Sequence, residues 1–115
     1  MTLSFSCKKI SEKDLLSCAF DLNKTQYSLL VFLLSHERFF SVQEISNKLG
    51  LDRTTVQKAM KMLLNKDLVQ RAQENLENGG YTYFYKIKNK SEIKQRMKKL
   101  SFEWYKAVDK AIDNM

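Results

Sequence analysis

The sequence has no proline, three glycines, two cysteines and a single histidine in 115 residues. With so few breaks, a loop-rich or all-β chain is not expected, and a mainly helical one is. Cys7 and Cys18 make no disulfide framework, and with His36 as the only histidine they form no recognisable zinc site. Neither a metal nor a cofactor is expected, and the cysteine usage suits a reducing, cytoplasmic setting. Long apolar runs are missing as well. The segment "SLLVFLL", Ser28 to Leu34, is too short to span a bilayer. The opening "MTLSFSCKKISEK" lacks the basic start and apolar stretch of a secretory leader, so no membrane partner is expected. There is also no Ser-His-Asp set, no Cys-His nucleophile pair, no glycine-rich phosphate loop and no paired carboxylates, which argues against an enzyme.

Acid is in short supply too. Thirteen Asp and Glu stand against twenty Lys and Arg, a formal charge of +7, which favours an anionic partner without proving one. One face of "LDRTTVQKAMKMLLNKDLV", Leu51 to Val69, has no acid at all. At about 100° per residue, Val56, Ala59, Met60, Leu63 and Leu64 gather on one side of a helix. Thr54, Gln57, Lys58, Lys61 and Asn65 gather on the other, and none is acidic. A solvated helix face usually mixes both signs. This one suits a polyanion.

The rest of the chain places that helix. "SEKDLLSCAF" opens with a capping pattern, Ser11 to Asp14, and predicts a short helix with Leu15, Cys18 and Ala19 on its apolar face. Cys18 is expected to be a small buried residue there. Cys7, in a segment expected to be flexible, would be the more reactive thiol, and redox sensing by either cysteine stays open. "NKTQYSLLVFLLSHE", with Asn23 as cap and Gln26 three residues on, is apolar nearly all round and reads as a central helix. "RFFS" reads as an extended connection. "SVQEISNKLG" has a capping box, Ser41 with Glu44, and ends at Gly50; only Leu51 separates that glycine from Asp52, the next cap. Two short helices joined so briefly are a helix-turn-helix, over about 41–66. Alternating patterns at Leu68 to Glu74 and Tyr81 to Lys88, joined around "NLENGG", predict a hairpin over about 68–88. Tyr81, Tyr83, Tyr85 and Ile87 share one face of it. A long helix over about 90–113 follows, capped by Asn89 or Ser91. Ile93, Met97, Leu100, Trp104, Ala107 and Ala111 form its seam, at coiled-coil-like steps of three and four.

The expected class is therefore mainly α with a small β-hairpin (α+β), in one domain of 1–115. The order helix, helix, helix-turn-helix, hairpin, long helix resembles the winged-helix regulators of the MarR, ArsR and TrmB groups, above all the short archaeal TrmB-like ones. "LGLDRTTVQKAMKMLLNKDLVQR", "NLENGGYTYFYKI" and "EIKQRMKKLSFEWYKAVDKAI" carry the likeness, and with "LNKTQYSLLVFLL" it covers most of the chain after Leu22. It implies a sequence-specific regulator that binds double-stranded DNA as a homodimer. Larger members carry a C-terminal effector domain for which this chain has no room, so a sugar ligand is not implied and an effector stays unknown.

In such a fold the second helix of the helix-turn-helix enters the major groove. Arg53, Thr54, Thr55 and Gln57 would face base edges, and Lys58 and Lys61 phosphates. Asp52 is better read as a cap. Ser41 and Gln43, with Ser46 nearby, lie where free N–H groups favour an anion, and a phosphate contact by Ser41 or Gln43 and a capping role for Ser41 are compatible. In the wing, Arg71 and Asn78 are candidates, while Glu74 and Glu77 would meet phosphates badly. Whether the wing reads the minor groove is open. The terminal seam, Ile93 to Ala111, is expected to make the dimer, and Lys94, Arg96, Lys98 and Lys99 beside it to be mostly solvated. Two alternatives remain at this level: a winged helix used for protein contacts within a transcription complex, and single-strand binding through the tyrosine-rich hairpin.

Overall fold

Each helix of the protein starts where a side chain can satisfy its free N–H groups. In this computed structural model, which describes residues 3, 4, 6 and 9–115, α1 (Glu12–Phe20), α2 (Lys24–Leu34) and α3 (Val42–Leu49) open on reciprocal caps. The pairs are Ser11 with Asp14, Asn23 with Gln26, and Ser41 with Glu44. Helix α4 (Arg53–Asn65) opens on Asp52, whose carboxylate accepts the Thr55 N–H at 2.7 Å. Helix α5 (Lys90–Asp113) opens on Asn89 rather than Ser91, with its side-chain oxygen 3.0 Å from the Glu92 N–H. Cys7 lies outside the described residues.

The strands are β1 (Leu3–Ser4), β2 (Lys9–Ile10), β3 (Phe40–Ser41), β4 (Val69–Asn75) and β5 (Tyr81–Ile87). β1 and β2 pair with each other, while the other three form an antiparallel sheet in the order β3-β5-β4. Val69 faces Ile87 at the base of the hairpin and Asn75 faces Tyr81 near its tip. Part of "RFFS" is thus more than a connection. Phe40 and Ser41 form the third strand, paired with Tyr85 and Phe84, because the Phe40 ring is buried on the core side beside Tyr85.

The core lies where α2, α3 and α4 meet the sheet. Leu29, Leu30 and Leu33 of α2, Ile45 of α3, and Val56, Met60 and Leu63 of α4 are fully covered, as are Leu68 and Val69. Sealing such side chains from water is the main favourable term in folding, about 1.5–3 kcal/mol each. Helix α1 packs differently from the sequence expectation. Leu15 is 39% exposed and Cys18 is exposed, while Leu16, Ala19 and Phe20 meet the core. The large Phe20 ring outweighs the small Cys18 side chain and turns the buried face by about one residue's rotation.

Helix α5 is the exception to compactness. Its 24 residues span about 36 Å, and the chain measures 66 × 24 × 21 Å with a radius of gyration of 17.5 Å. A compact chain of this length would have about 13 Å. Ile93 is buried in the chain's own core and Met97 packs against it. These two seam residues are therefore committed within the subunit and are not a free docking surface. Leu100, Trp104, Ala107 and Ala111 are exposed.

Candidate nucleic-acid interface

The turn between α3 and α4 is held from inside. Gly50 ends α3 in the left-handed region at φ +65°, a conformation that side chains resist. Beside it the buried Ser46 donates its hydroxyl to the Leu51 carbonyl, and the Ser46 carbonyl accepts the Leu51 N–H at 3.2 Å. Ser46 is thus a turn lock facing inward rather than a group at an anion site. The lock makes α3 and α4 one rigid unit, with α4 packed on α2 and α3 through Val56, Ala59, Met60 and Leu63.

What α4 leaves outside is a polar face without acid. Arg53, Thr54, Gln57, Lys58, Lys61 and Asn65 are exposed, and no residue from Arg53 to Asn65 is acidic. Thr55 is half-buried and turned to the cap. Hydrogen bonds from its hydroxyl and then its N–H hold the Asp52 carboxyl below the ordinary carboxylate range, so Asp52 stays charged at the positive end of its own helix. Of the four residues expected at base edges, Arg53, Thr54 and Gln57 are open and Thr55 is the least available.

At the start of α3, Ser41 is half-buried and its hydroxyl accepts the Glu44 N–H at 3.1 Å. Glu44 returns a bond from the Ser41 N–H at 3.2 Å and pairs with Arg38 at 3.1 Å. The backbone bond from Ser41 is the main reason its carboxyl lies below its ordinary value. Gln43 is exposed and donates to Asn47 at 2.9 Å. Arg38 did not stand out in the sequence. Only the fold sets its guanidinium beside α3, where it packs 3.7 Å from the Phe40 ring centre.

The wing projects as a narrow ribbon. Its tip is closed by a Gly79 N–H bond to the Leu76 carbonyl at 3.2 Å and a Leu76 N–H bond to the Gly80 carbonyl at 3.1 Å. Gly79 and Gly80 both have φ near +80°. Arg71 is exposed and its guanidinium lies 4.1 Å from the Tyr83 ring centre, a cation–π contact that pre-positions the charge. Tyr81 packs on Tyr83 at 5.0 Å, and hydrogen bonding to Tyr83 raises its phenol above the usual value. Tyr85 is in the core and Tyr83 is half-buried. On the hairpin a single exposed tyrosine, Tyr81, is too little for successive bases of a single strand to stack on. Asn78, Glu74 and Glu77 are all exposed on the wing.

A compact helical core, a helix-turn-helix and a following wing make this a winged-helix fold. The family model for the sugar-specific transcriptional regulator TrmB matches residues 16–91, from α1 into the first turn of α5. The chain belongs to the TrmB family. A protein described as a "possible transcriptional regulator" from Methanosarcina mazei Go1 is similar in structure, with a TM-score of 0.88 and 31% identity. The similarity covers 99% of this chain and 96% of that one. The uncharacterized protein MJ1082 of Methanocaldococcus jannaschii is 34% identical over 103 residues, 90% of this chain and 84% of that protein. The ST1889 protein of the thermoacidophilic archaeon Sulfolobus tokodaii has a TM-score of 0.69 at 21% identity, over 84% and 94% of the two chains, and shows the fold alone. The TrmB family is one of transcriptional regulators, with archaeal proteins among the relatives of this chain. No helix among its described residues is long and apolar enough to cross a membrane.

Proposed function

We propose that this TrmB-family chain is a sequence-specific regulator that binds double-stranded DNA as a homodimer and performs no catalysis. Residues 1–115 act as one winged-helix unit in the cytoplasm. The observation that carries the reading is the acid-free, exposed face of α4, held rigidly on a buried core. Arg53, Thr54 and Gln57 read base edges in the major groove, while Lys58 and Lys61 neutralise phosphates. Thr55 stays bonded to the Asp52 cap behind them. Ser41 and Gln43 meet backbone at the start of α3, and Arg71 and Asn78 meet it from the wing.

The distal part of α5 is the dimer interface. Leu100 is 43% and Trp104 58% exposed on a helix that runs beyond the subunit's own core. A second copy covers Leu100, Trp104, Ala107 and Ala111 by two-fold symmetry, and Ile93 and Met97 brace the seam from within each subunit. Half-sites about one helical turn apart, roughly 34 Å, then meet the two α4 helices.

The test is a salt-dependent titration with duplexes retained from a random pool. Gln57→Ala is expected to relax selectivity at one operator position by about 1–3 kcal/mol. Lys61→Ala should weaken all duplexes alike and reduce the salt slope by about one. If both variants lose specific and random binding equally, the groove assignment is wrong. Weak, unselective duplex binding by the wild type would instead favour a protein-contact module.

A further inference from the structure

Three elements end or pass within one small region, and two cations tie them together. Helix α4 runs out through Lys66 into Asp67, whose φ of +60° turns the chain sharply towards β4. The Lys66 carbonyl closes the negative end of the α4 dipole, and the Asp67 carbonyl follows it in the turn. Arg96 of α5 reaches both with its two terminal nitrogens, each at 3.0 Å. Lys66 in turn extends its ammonium to the end of α1, where the Phe20 and Asp21 carbonyls accept at 2.7 and 2.6 Å. The Arg96 guanidinium also lies 4.8 Å from the Phe20 ring centre. Arg96 is only half-exposed, so it is not the solvated cation that its basic neighbours suggest.

We infer that Arg96 is a positioning residue that sets the angle between the dimer stem α5 and the DNA-facing helix α4. It thereby determines which half-site spacing the protein accepts. The inference rests on the homodimeric reading above. Its physical basis is the difference between two kinds of anchor near the start of α5. Ile93 is buried among apolar side chains and Met97 packs against the same core, and such contact is non-directional, so it holds the helix without fixing its angle. The Arg96 fork is planar and holds two fixed carbonyls at once, which gives direction. Lys88 and Asp67, joined at 2.6 Å, restrain the start of the stem and not its tilt.

The lever is long enough to matter. From Asn65 back to Arg53, α4 extends about 20 Å. A tilt of about 10° at its fixed end moves the DNA-facing end by about 3.4 Å, the rise of one base pair. A loosened fork therefore costs register between the two half-sites, while each recognition surface stays intact.

The test uses the full chain and three kinds of duplex derived from a site selected by the wild type. One carries a single half-site, one the selected pair, and one the pair with one or two base pairs inserted between. For the wild type, an insertion should weaken binding about tenfold or more, because both subunits can no longer engage together. Arg96→Gln should remain dimeric by sedimentation and keep its single-half-site affinity within about twofold, while the insertion penalty shrinks by at least about threefold. Arg96→Lys, with a point charge in place of the fork, should fall between them. It also carries the test if the glutamine variant fails to fold. An undiminished penalty in a folded, dimeric variant overturns the role of Arg96 and leaves the proposed function standing. A wild-type monomer, or no gain from a second half-site, overturns the proposed function and this inference with it.

Discussion

In α4, Val56, Met60 and Leu63 are fully covered by the rest of the subunit, whereas in α5 Leu100 and Trp104, at the same helical spacing, stay 43% and 58% exposed. The two stripes look alike in sequence. They differ in what lies across from them: α4 sits between α2, α3 and the sheet, and α5 runs beyond the body of the subunit once past Leu100 and Glu103, which still line a pocket with Ala19 and Phe20 of α1. Periodicity thus tells which face must be covered and not which molecule covers it. On α4 the buried stripe fixes the outward polar face in space. On α5 the exposed stripe is the surface we propose for a second copy.

Substitutions of equal chemistry in the two helices should separate these roles. Leu63→Ala leaves a cavity in a fully packed site and should lower the unfolding free energy by about 2–5 kcal/mol in chemical denaturation. Leu100→Ala should hardly change monomer unfolding. A comparable loss in that variant, measured at concentrations where the protein is monomeric, would mean that the α5 stripe belongs to the subunit's own core.

The next effect concerns association. Trp104→Ala should weaken the dimer by about 2 kcal/mol or more, the scale of a central interface residue. Leu100→Asp would place an unpaired charge there and should shift the protein towards monomer. A duplex with two half-sites should then bind far more weakly, although Arg53 and Gln57 are untouched. Sedimentation at the concentrations used for DNA titration would reveal a Leu100→Asp dimer, which would end this reading of α5.

The wing should respond locally, with the helical core unaffected. A Cβ at Gly79 or Gly80 meets nothing within 4 Å, so the obstacle there is backbone strain at positive φ and not collision. Replacing both by valine should cost about 1–2 kcal/mol per residue in the local turn. The helical circular dichroism should survive while DNA affinity falls. Unchanged affinity in the folded double variant would take the wing out of the binding surface.

The smallest effect is with pH. The Asp52 and Glu44 carboxyls are both held below their ordinary values, chiefly by bonds from Thr55 and from the Ser41 backbone. Their depressed folded pKa values contribute stability above the unfolded ones. That stability is lost as pH falls through the folded values, so the thermal midpoint should drop as the pH is lowered below about 4. Asp52→Asn can still accept a hydrogen bond but cannot titrate, and its midpoint should fall less over the same interval. An identical fall would show that Asp52 contributes nothing to the acid sensitivity.

Sequence alone was enough for most helix caps and for the glycine turns. The caps at Ser11, Asn23, Ser41 and Asp52, the glycine end of α3 and the hairpin around Gly79 and Gly80 each depend on residues within about four positions. The polar face of α4 followed from its own periodicity for the same reason. Tertiary structure decided what distant partners decide. It chose Phe20 over Cys18 for the buried face of α1, because a large ring gains more from the core than a thiol. It drew Phe40 and Ser41 into the sheet, because β5 offered an open edge. It turned Arg96 from one cation among several on α5 into a fork on the end of α4, some thirty residues earlier in the chain. No local pattern marks that arginine, because the carbonyls it binds exist as a pair only once α4 has ended beside α5.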